Sequence, residues 1–163
     1  RYLKTAYKNL GFRVILYYRI GMYLKKKNCH HLAGIMERFI RRQCFCQISL
    51  GADIDSGLLI SHTFGLVIGS GTRIGKNCDV RQNITFGGNF SKIDANGRTQ
   101  PWLENNISVG AGAVIIGPVR IGSNSIIGAN TVVTRDVPEN VIVFGVPGEI
   151  IRERWSEESG RKL

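Results

Sequence analysis

Ile115-Ile116-Gly117-Pro118-Val119-Arg120-Ile121-Gly122-Ser123-Asn124-Ser125-Ile126-Ile127-Gly128-Ala129-Asn130-Thr131-Val132-Val133 returns to a large aliphatic residue every six positions. Ile115, Ile121, Ile127 and Val133 keep that interval, and it extends backwards through Val109 to Leu103. Two earlier runs obey the same ruler: Ile48, Ile54, Ile60 and Leu66, then, after a slip of two residues, Ile68, Ile74, Val80 and Phe86. At 43% hydrophobic composition, fourteen such positions in succession have a chance probability of roughly 10⁻⁵. A helix period of 3.6 or a strand period of 2 does not give six, whereas a short strand plus a turn does. Three such units close one triangular coil of about eighteen residues, so the pattern predicts a parallel β-helix with the ruler residues along its axis. Gly, Asn and Ser between them (Gly75-Lys76-Asn77, Gly122-Ser123-Asn124, Gly128-Ala129-Asn130) suit tight corners.

A chain of 163 residues holds one domain with a sizeable core. Its formal charge of +10 points to an anionic partner. No helix-turn-helix, stacking platform or zinc spacing accompanies the charge, so nucleic acid is not expected; a phosphorylated co-substrate, an anionic polymer or a membrane surface is. Cys29, Cys44, Cys46 and Cys78 lack framework spacing, and Cys44-Phe45-Cys46 is not a CxxC, so free thiols in a reducing compartment are expected. With no secretory signal, the expected location is the cytoplasm, with the inner membrane face as a variant. The chain starts at Arg1 without a Met, which suggests that a native segment precedes it.

Residues 1–45 read as a helical arm. Leu32, Ile35, Met36, Phe39 and Ile40 keep helical spacing, with Glu37, Arg38, Arg41 and Arg42 on the other side. Val14 to Leu24 is apolar apart from Arg19 and precedes Lys25-Lys26-Lys27, but eleven residues fall short of the roughly twenty that span a bilayer. Two helices covering the open first edge of the coil are expected, and peripheral contact with an anionic membrane is compatible with that. Residues 87–102 abandon the ruler and are expected to project as a loop, the usual place for function on a solenoid.

Of three histidines, His30 and His31 lie in the arm, and His62 stands where the frame slips. It is the one general-base candidate of near-neutral reference pKa in the coil. Without a nucleophilic Ser or Cys elbow, a mechanism through His62 is direct base-assisted attack. One His in the coil excludes a three-His zinc site, and no metal is expected.

Ile60-Ser61-His62-Thr63-Phe64-Gly65-Leu66-Val67-Ile68-Gly69, Asn83-Ile84-Thr85-Phe86-Gly87-Gly88, Val109-Gly110-Ala111-Gly112-Ala113 and Ile127 to Pro138 through Gly145-Val146-Pro147 resemble the hexapeptide-repeat acetyltransferases, in particular their serine acetyltransferase branch. The likeness covers residues 46–152. It implies a left-handed β-helix, a homotrimer, acetyl-CoA as donor and active sites between neighbouring subunits. Position by position, it makes His62 the base that deprotonates the acceptor hydroxyl. Gly88, Ala111 and Ala129 match small residues lining the pantetheine arm, and Thr134, Arg135 and Arg152 match positions near the nucleotide; Arg suits phosphate.

Three departures accompany the likeness. Gln47 stands where an Asp orients the histidine, Ser61 replaces the Asp before it, and Gln100, ahead of Pro101, replaces a second His. A zwitterionic acceptor needs charged partners, so the loss of three charges points to a neutral hydroxyl, with Ser61 and Gln100 touching the acceptor. The stretch Leu16-Tyr17-Tyr18-Arg19-Ile20-Gly21 resembles the arm of capsule, exopolysaccharide and lipopolysaccharide O-acetyltransferases. The expectation is therefore a mainly β protein: a helical arm (1–45), a left-handed parallel β-helix (46–147) with a loop at 87–102, and a short C-terminal helix or tail (148–163). Its expected activity is acetyl-CoA-dependent O-acetylation in polysaccharide biosynthesis, on a sugar or polysaccharide hydroxyl. Serine O-acetyltransferase is the alternative, and a catalytically silent scaffold is a third reading. Val67, Val114 and Val119, off the ruler, are expected on flat faces that meet in the trimer.

Overall fold

The computed structural model describes residues 9–89 and 91–154. A helical hairpin, α1 (Leu10–Lys26) and α2 (His30–Cys44), leads into short strands that wind as a triangular left-handed coil with three faces. Face A carries β1 (Gln47–Ile48), β4 (Val67–Ile68), β7 (Thr85–Gly87), β10 (Val114–Ile116) and β13 (Val132–Val133). Face B carries β2 (Asp53–Ile54), β5 (Arg73–Ile74), β8 (Trp102–Leu103) and β11 (Arg120–Ile121). Face C carries β3 (Leu59–Ile60), β6 (Asp79–Val80), β9 (Ser108–Val109), β12 (Ile126–Ile127) and β14 (Val141–Phe144), closed by β15 (Glu149–Glu153).

The ruler becomes three columns. Ile48, Ile68, Phe86, Ile115 and Val133 stand in parallel register on face A. Ile54, Ile74, Leu103, Ile121 and Val137 do so on face B, and Ile60, Val80, Val109, Ile127 and Val143 on face C. All are buried. Each of the ruler residues lies second in a two-residue strand or in the middle of a three-residue one, so one side chain enters the core and its neighbour faces out. Leu66 is the exception. It is buried, but it lies two positions before Ile68, in a second inner column with Ile84, Ala113 and Thr131, whose carbonyls accept the strand N–H groups of the preceding coil. Val119, expected on a flat face, is likewise inside at 4% exposure, whereas Val67 and Val114 are half-buried on face A.

Corners fold where Asn or Gly supplies a left-handed residue. Asn77, Asn106, Asn124 and Asn140 all have φ between 56° and 61°, and Asn106 Nδ2 donates to Asn124 Oδ1 and Asn124 Nδ2 to Asn140 Oδ1, both at 3.0 Å. Asn is the L-residue that pays least for this conformation while its amide links successive coils.

Stacked parallel coils satisfy one another, but the first coil has no predecessor and its outer backbone groups need partners. The arm supplies them. Gly11, Val14, Tyr18 and Gly21 form the buried stripe of α1. Tyr18 Oη donates to the Ala52 carbonyl at 2.8 Å. Arg19 donates to the carbonyls of Ile54 (2.7 Å) and Asp55 (2.6 Å), and Lys25 Nζ to that of Leu50 (3.0 Å). The Leu50 N–H donates to Glu37 at 2.7 Å. Arg19, the break in an apolar run, is a cap for the coil. Asn9 caps α1 itself by accepting from the Phe12 N–H.

In place of the short helix or tail expected over 148–163, Glu149–Glu153 is β15, antiparallel to β14. It occupies the free edge that the last coil of face C leaves open. The rest of the expected helix or tail, residues 155–163, lies outside the described residues. Cys44, Cys46 and Cys78 are buried and Cys29 is exposed, all as free thiols. Burial, with Cys44 alongside, pushes the Cys46 thiol up to about 12.

Two outcomes follow from this packing. Ile115→Ala, which empties a fully buried ruler position, should lower unfolding stability by about 2–5 kcal/mol in denaturant titration. In the native protein a water-soluble alkylating reagent should modify Cys29 alone, with the other three reacting after unfolding; mass mapping reads this directly.

Candidate functional site at the corners beside face A

The corner from face C to face A explains the frame slip. In the second coil four residues, Arg81 to Ile84, separate the strands; in the first there are six, Ser61 to Leu66. The N–H of Asn83 donates to the Phe64 carbonyl, that of Gly112 to Gln82 and that of Asn130 to Ala111. Phe64, Gln82, Ala111 and Ala129 therefore lie above one another, and Ser61 lies over Arg81. His62 and Thr63 are the two residues without a counterpart. Thr63 turns inward and is buried, and the Leu66 N–H closes the turn on its carbonyl at 3.2 Å. His62 is left exposed. Gly65 makes the bulge possible: its φ is +68° and a Cβ there would lie 2.2 Å from Asn83 Oδ1. Phe64 stacks on Phe45, at the end of the arm, with ring centroids 5.2 Å apart and planes within 7°.

Gln47 is exposed on β1, and no hydrogen bond joins it to His62 among the described residues. Asp53 and Asp55 do not replace it: Asp53 sits on face B, and Asp55 accepts from the Ser56 N–H. A carboxylate does reach this corner from elsewhere. Ser61 Oγ donates to Asp79 Oδ1 at 3.1 Å. Asp79 and Arg81 flank Val80 and point outward beneath the His62 corner, and neither forms an ion pair among the described residues. Sequence reading passed over both. Their signal was the coil length, since Asp79 follows Ser61 by eighteen residues.

Of the expected cofactor residues, Ala111 and Ala129 share the His62 edge. Gly88, Gln100, Thr134 and Arg135 fall on the other edge of face A, where A turns into B. Gly88 is small for a local reason: a Cβ there would lie 2.2 Å from Gln100 Nε2. Gln100 Oε1 is buried without a hydrogen-bond partner among the described residues. Thr134 and Arg135 line a cavity of about 300 Å³ with Val143, Pro147 and Gly148 at the last coil. Arg152 is exposed on β15 opposite Ile142, away from that cavity. Within one chain a full face separates His62 from Gln100 and Arg135.

The loop between β7 and β8 is tied down. Asp94 accepts from the N–H groups of Asn96 (2.9 Å) and Arg98 (2.8 Å) and from Arg98 Nε (2.6 Å). The Arg98 guanidinium then lies 5.0 Å from the Trp102 ring centroid, with Arg120 at 5.4 Å from the same ring. Arg98 thus joins the loop to the Trp102 ring. Glu104 holds Arg120 and accepts from the Ser123 N–H and Oγ.

A coiled prism with a lone exposed histidine at a specialised corner defines a transferase of the hexapeptide-repeat class, and residues 101–135 match the bacterial transferase hexapeptide (six repeats) model. A serine acetyltransferase of Synechococcus elongatus is 35% identical over 141 residues, 86% of this chain and 57% of that one. One from Helicobacter pylori is 33% identical over 86% of this chain and 81% of its own length. Among solved structures, a Brucella abortus serine acetyltransferase in complex with coenzyme A superposes with a TM-score of 0.82 at 32% identity, covering 88% of this chain and 56% of that one. A Neisseria gonorrhoeae serine acetyltransferase in complex with serine gives 0.83 at 30%, covering 93% and 61%. The chain belongs to the serine acetyltransferase family. It spans a little over half the length of several of these relatives. The matches overturn the likeness to capsule and exopolysaccharide enzymes and, with it, the expected sugar acceptor and polysaccharide pathway. The neutral residue at 61 misled because it was compared with its own aligned position, whereas Asp79 brings a carboxylate to the same corner one coil later.

The Asp94 carboxyl sits below its ordinary range, chiefly because it accepts from the Arg98 N–H. A depressed carboxyl stabilises the fold above its unfolded pKa and loses that contribution as pH falls through the folded one. Loop closure should therefore hold at neutral pH and fail on acidification below the usual Asp range. Asp94→Ala should raise amide exchange across 96–98 about tenfold at pH 7 while the coil amides stay unchanged.

Proposed function

We propose that the protein is an acetyl-CoA-dependent serine O-acetyltransferase working as a homotrimer. The observation that carries this reading is the corner where His62 stands exposed above Asp79 and Arg81, two opposite charges with no ion pair among the described residues. Asp79 and Arg81 lie on either side of Val80 where β6 ends, and residues two apart in extended chain are about 6.5–7 Å apart, a span that suits the ammonium and carboxylate of one amino acid. Asp79 receives the ammonium and Arg81 the carboxylate, which leaves the side-chain hydroxyl toward His62. His62 takes the hydroxyl proton as the oxygen attacks the thioester carbonyl. The oxygen–carbon bond forms, the carbon–sulfur bond breaks, and the proton passes to the departing thiolate. Ser61 fixes the Asp79 carboxylate through its hydroxyl.

Ala111 and Ala129 leave a smooth strip for the pantetheine arm, and Thr134 and Arg135 are the polar groups nearest the last-coil cavity. Because a full face separates the two edges, the trimer sets the His62 edge of one copy against the Gly88–Gln100–Arg135 edge of the next. The half-buried outward residues Val67, Thr85, Val114 and Val132 on face A supply the contact. The relatives' complexes with coenzyme A and with serine support both ligands.

His62→Ala should lower kcat by about 10²–10⁴-fold with coenzyme A affinity kept. Asp79→Asn and Arg81→Ala should each raise KM for L-serine about ten- to a hundredfold, and Ala129→Trp should abolish coenzyme A binding in calorimetry. Acetyl transfer to sugars that exceeds transfer to L-serine in kcat/KM, or a pH–rate profile unchanged by His62→Ala, would overturn the reading.

A further inference from the structure

The positive charge of this chain is not spread over it. Residues 1–44 hold 11 of the 22 Lys and Arg but only one of the 12 acidic residues, Glu37, so they carry the whole net charge of +10. The remaining 119 residues, which include the entire coil, balance to zero. The lone acid of the arm is taken by the Leu50 N–H.

The same arm is apolar on a face the coil does not cover. On α1 the stripe Gly11, Val14, Tyr18 and Gly21 is buried. Phe12, Leu16, Ile20 and Tyr23, spaced i, i+4, i+8 and i+11, lie on the opposite side and are exposed, Tyr23 at 61%. On α2, Leu32, Ile35 and Phe39 are exposed in the same helical register, Leu32 at 51%. α1 thus carries apolar side chains on its open side as well as its packed one, with Arg13 and Arg19 along the margins, and an exposed apolar stripe with a basic border suits a lipid interface. Arg38 and Arg42 border the α2 stripe, and Lys26 and Lys27 end the α1 stripe, all exposed. No helix of the described residues is long and apolar enough to cross a membrane.

We propose that this face of the arm seats the protein on an anionic phospholipid surface, with the apolar stripes entering the interface and the basic border meeting the headgroups. Charge complementarity selects this occupant. A second copy on the same face would bring two basic borders together, which like charges oppose. A nucleic acid would match the charge but leave seven exposed apolar side chains in water.

The test is co-sedimentation of the full chain with vesicles of phosphatidylcholine alone and of phosphatidylcholine with 30% phosphatidylglycerol, a composition of about that order being enough to give a negative surface. Retention is expected on the anionic vesicles only, and is expected to fall when salt rises from about 0.1 to 1 M. Lys26→Ala with Lys27→Ala should weaken it about tenfold or more, at roughly 1 kcal/mol per basic residue. Leu16→Glu with Ile20→Glu should abolish it although the coil remains folded, checked by an unchanged melting transition. Equal retention on both vesicle types, or none on either, overturns the proposal. So does light scattering in which Leu16→Glu with Ile20→Glu halves the mass of the vesicle-free protein, since a second copy then owns the face. Tight binding of duplex DNA with no vesicle retention assigns the charge to nucleic acid and overturns it as well.

Discussion

Every coil of this molecule rests on the backbone hydrogen bonds of its neighbour, so the first coil, with nothing before it, is the point where the architecture has to be closed by other means. The arm closes it with side chains. Tyr18, Arg19 and Lys25 donate to carbonyls of Leu50, Ala52, Ile54 and Asp55, and Glu37 accepts the Leu50 N–H. Net hydrogen bonds contribute modestly, but a buried carbonyl left bare costs about 1–3 kcal/mol, and an uncovered edge invites pairing with other chains. The far end solves the same problem with backbone, by folding β15 against β14.

The coil was legible because its core obeys a period that no other architecture produces. Ile48 through Val133 fell into columns as spaced, and the two deviations were informative. The slip read between Leu66 and Ile68 proved to be the His62–Thr63 bulge, and the long interval after Phe86 is the loop clamped by Asp94 and Arg98. Leu66 kept the ruler only by coincidence, because two positions in each hexapeptide face inward and a hydrophobic residue satisfies either. The strand at Glu149–Glu153 was not legible: its sequence has no alternation, and it forms because an edge is waiting for it.

The site was only half legible for a different reason. The corner is assembled from residues one coil apart, so the carboxylate that an aligned position lacks arrives from eighteen residues downstream. Ser61 suggests a neutral pocket in isolation. With Asp79 hydrogen-bonded to it, and Arg81 beneath, the same corner is dipolar. Gln47, Gln100 and Arg98 also show that position alone does not confer a role: the first has no bond to the histidine among the described residues, the second fills the space above Gly88, and the third joins the loop to the Trp102 ring.

Gly11 ties these two halves together. A Cβ at that position would lie 2.0 Å from the Ile60 carbonyl oxygen, so α1 touches the backbone immediately ahead of Ser61 and His62. Phe45, at the other end of the arm, is stacked on Phe64, just beyond them. The histidine bulge is thus gripped fore and aft by the arm, like a tool held in a vice. Tilting or lifting the hairpin carries the bulge with it, and whatever surface fixes the hairpin also fixes the height and heading of the imidazole above that surface.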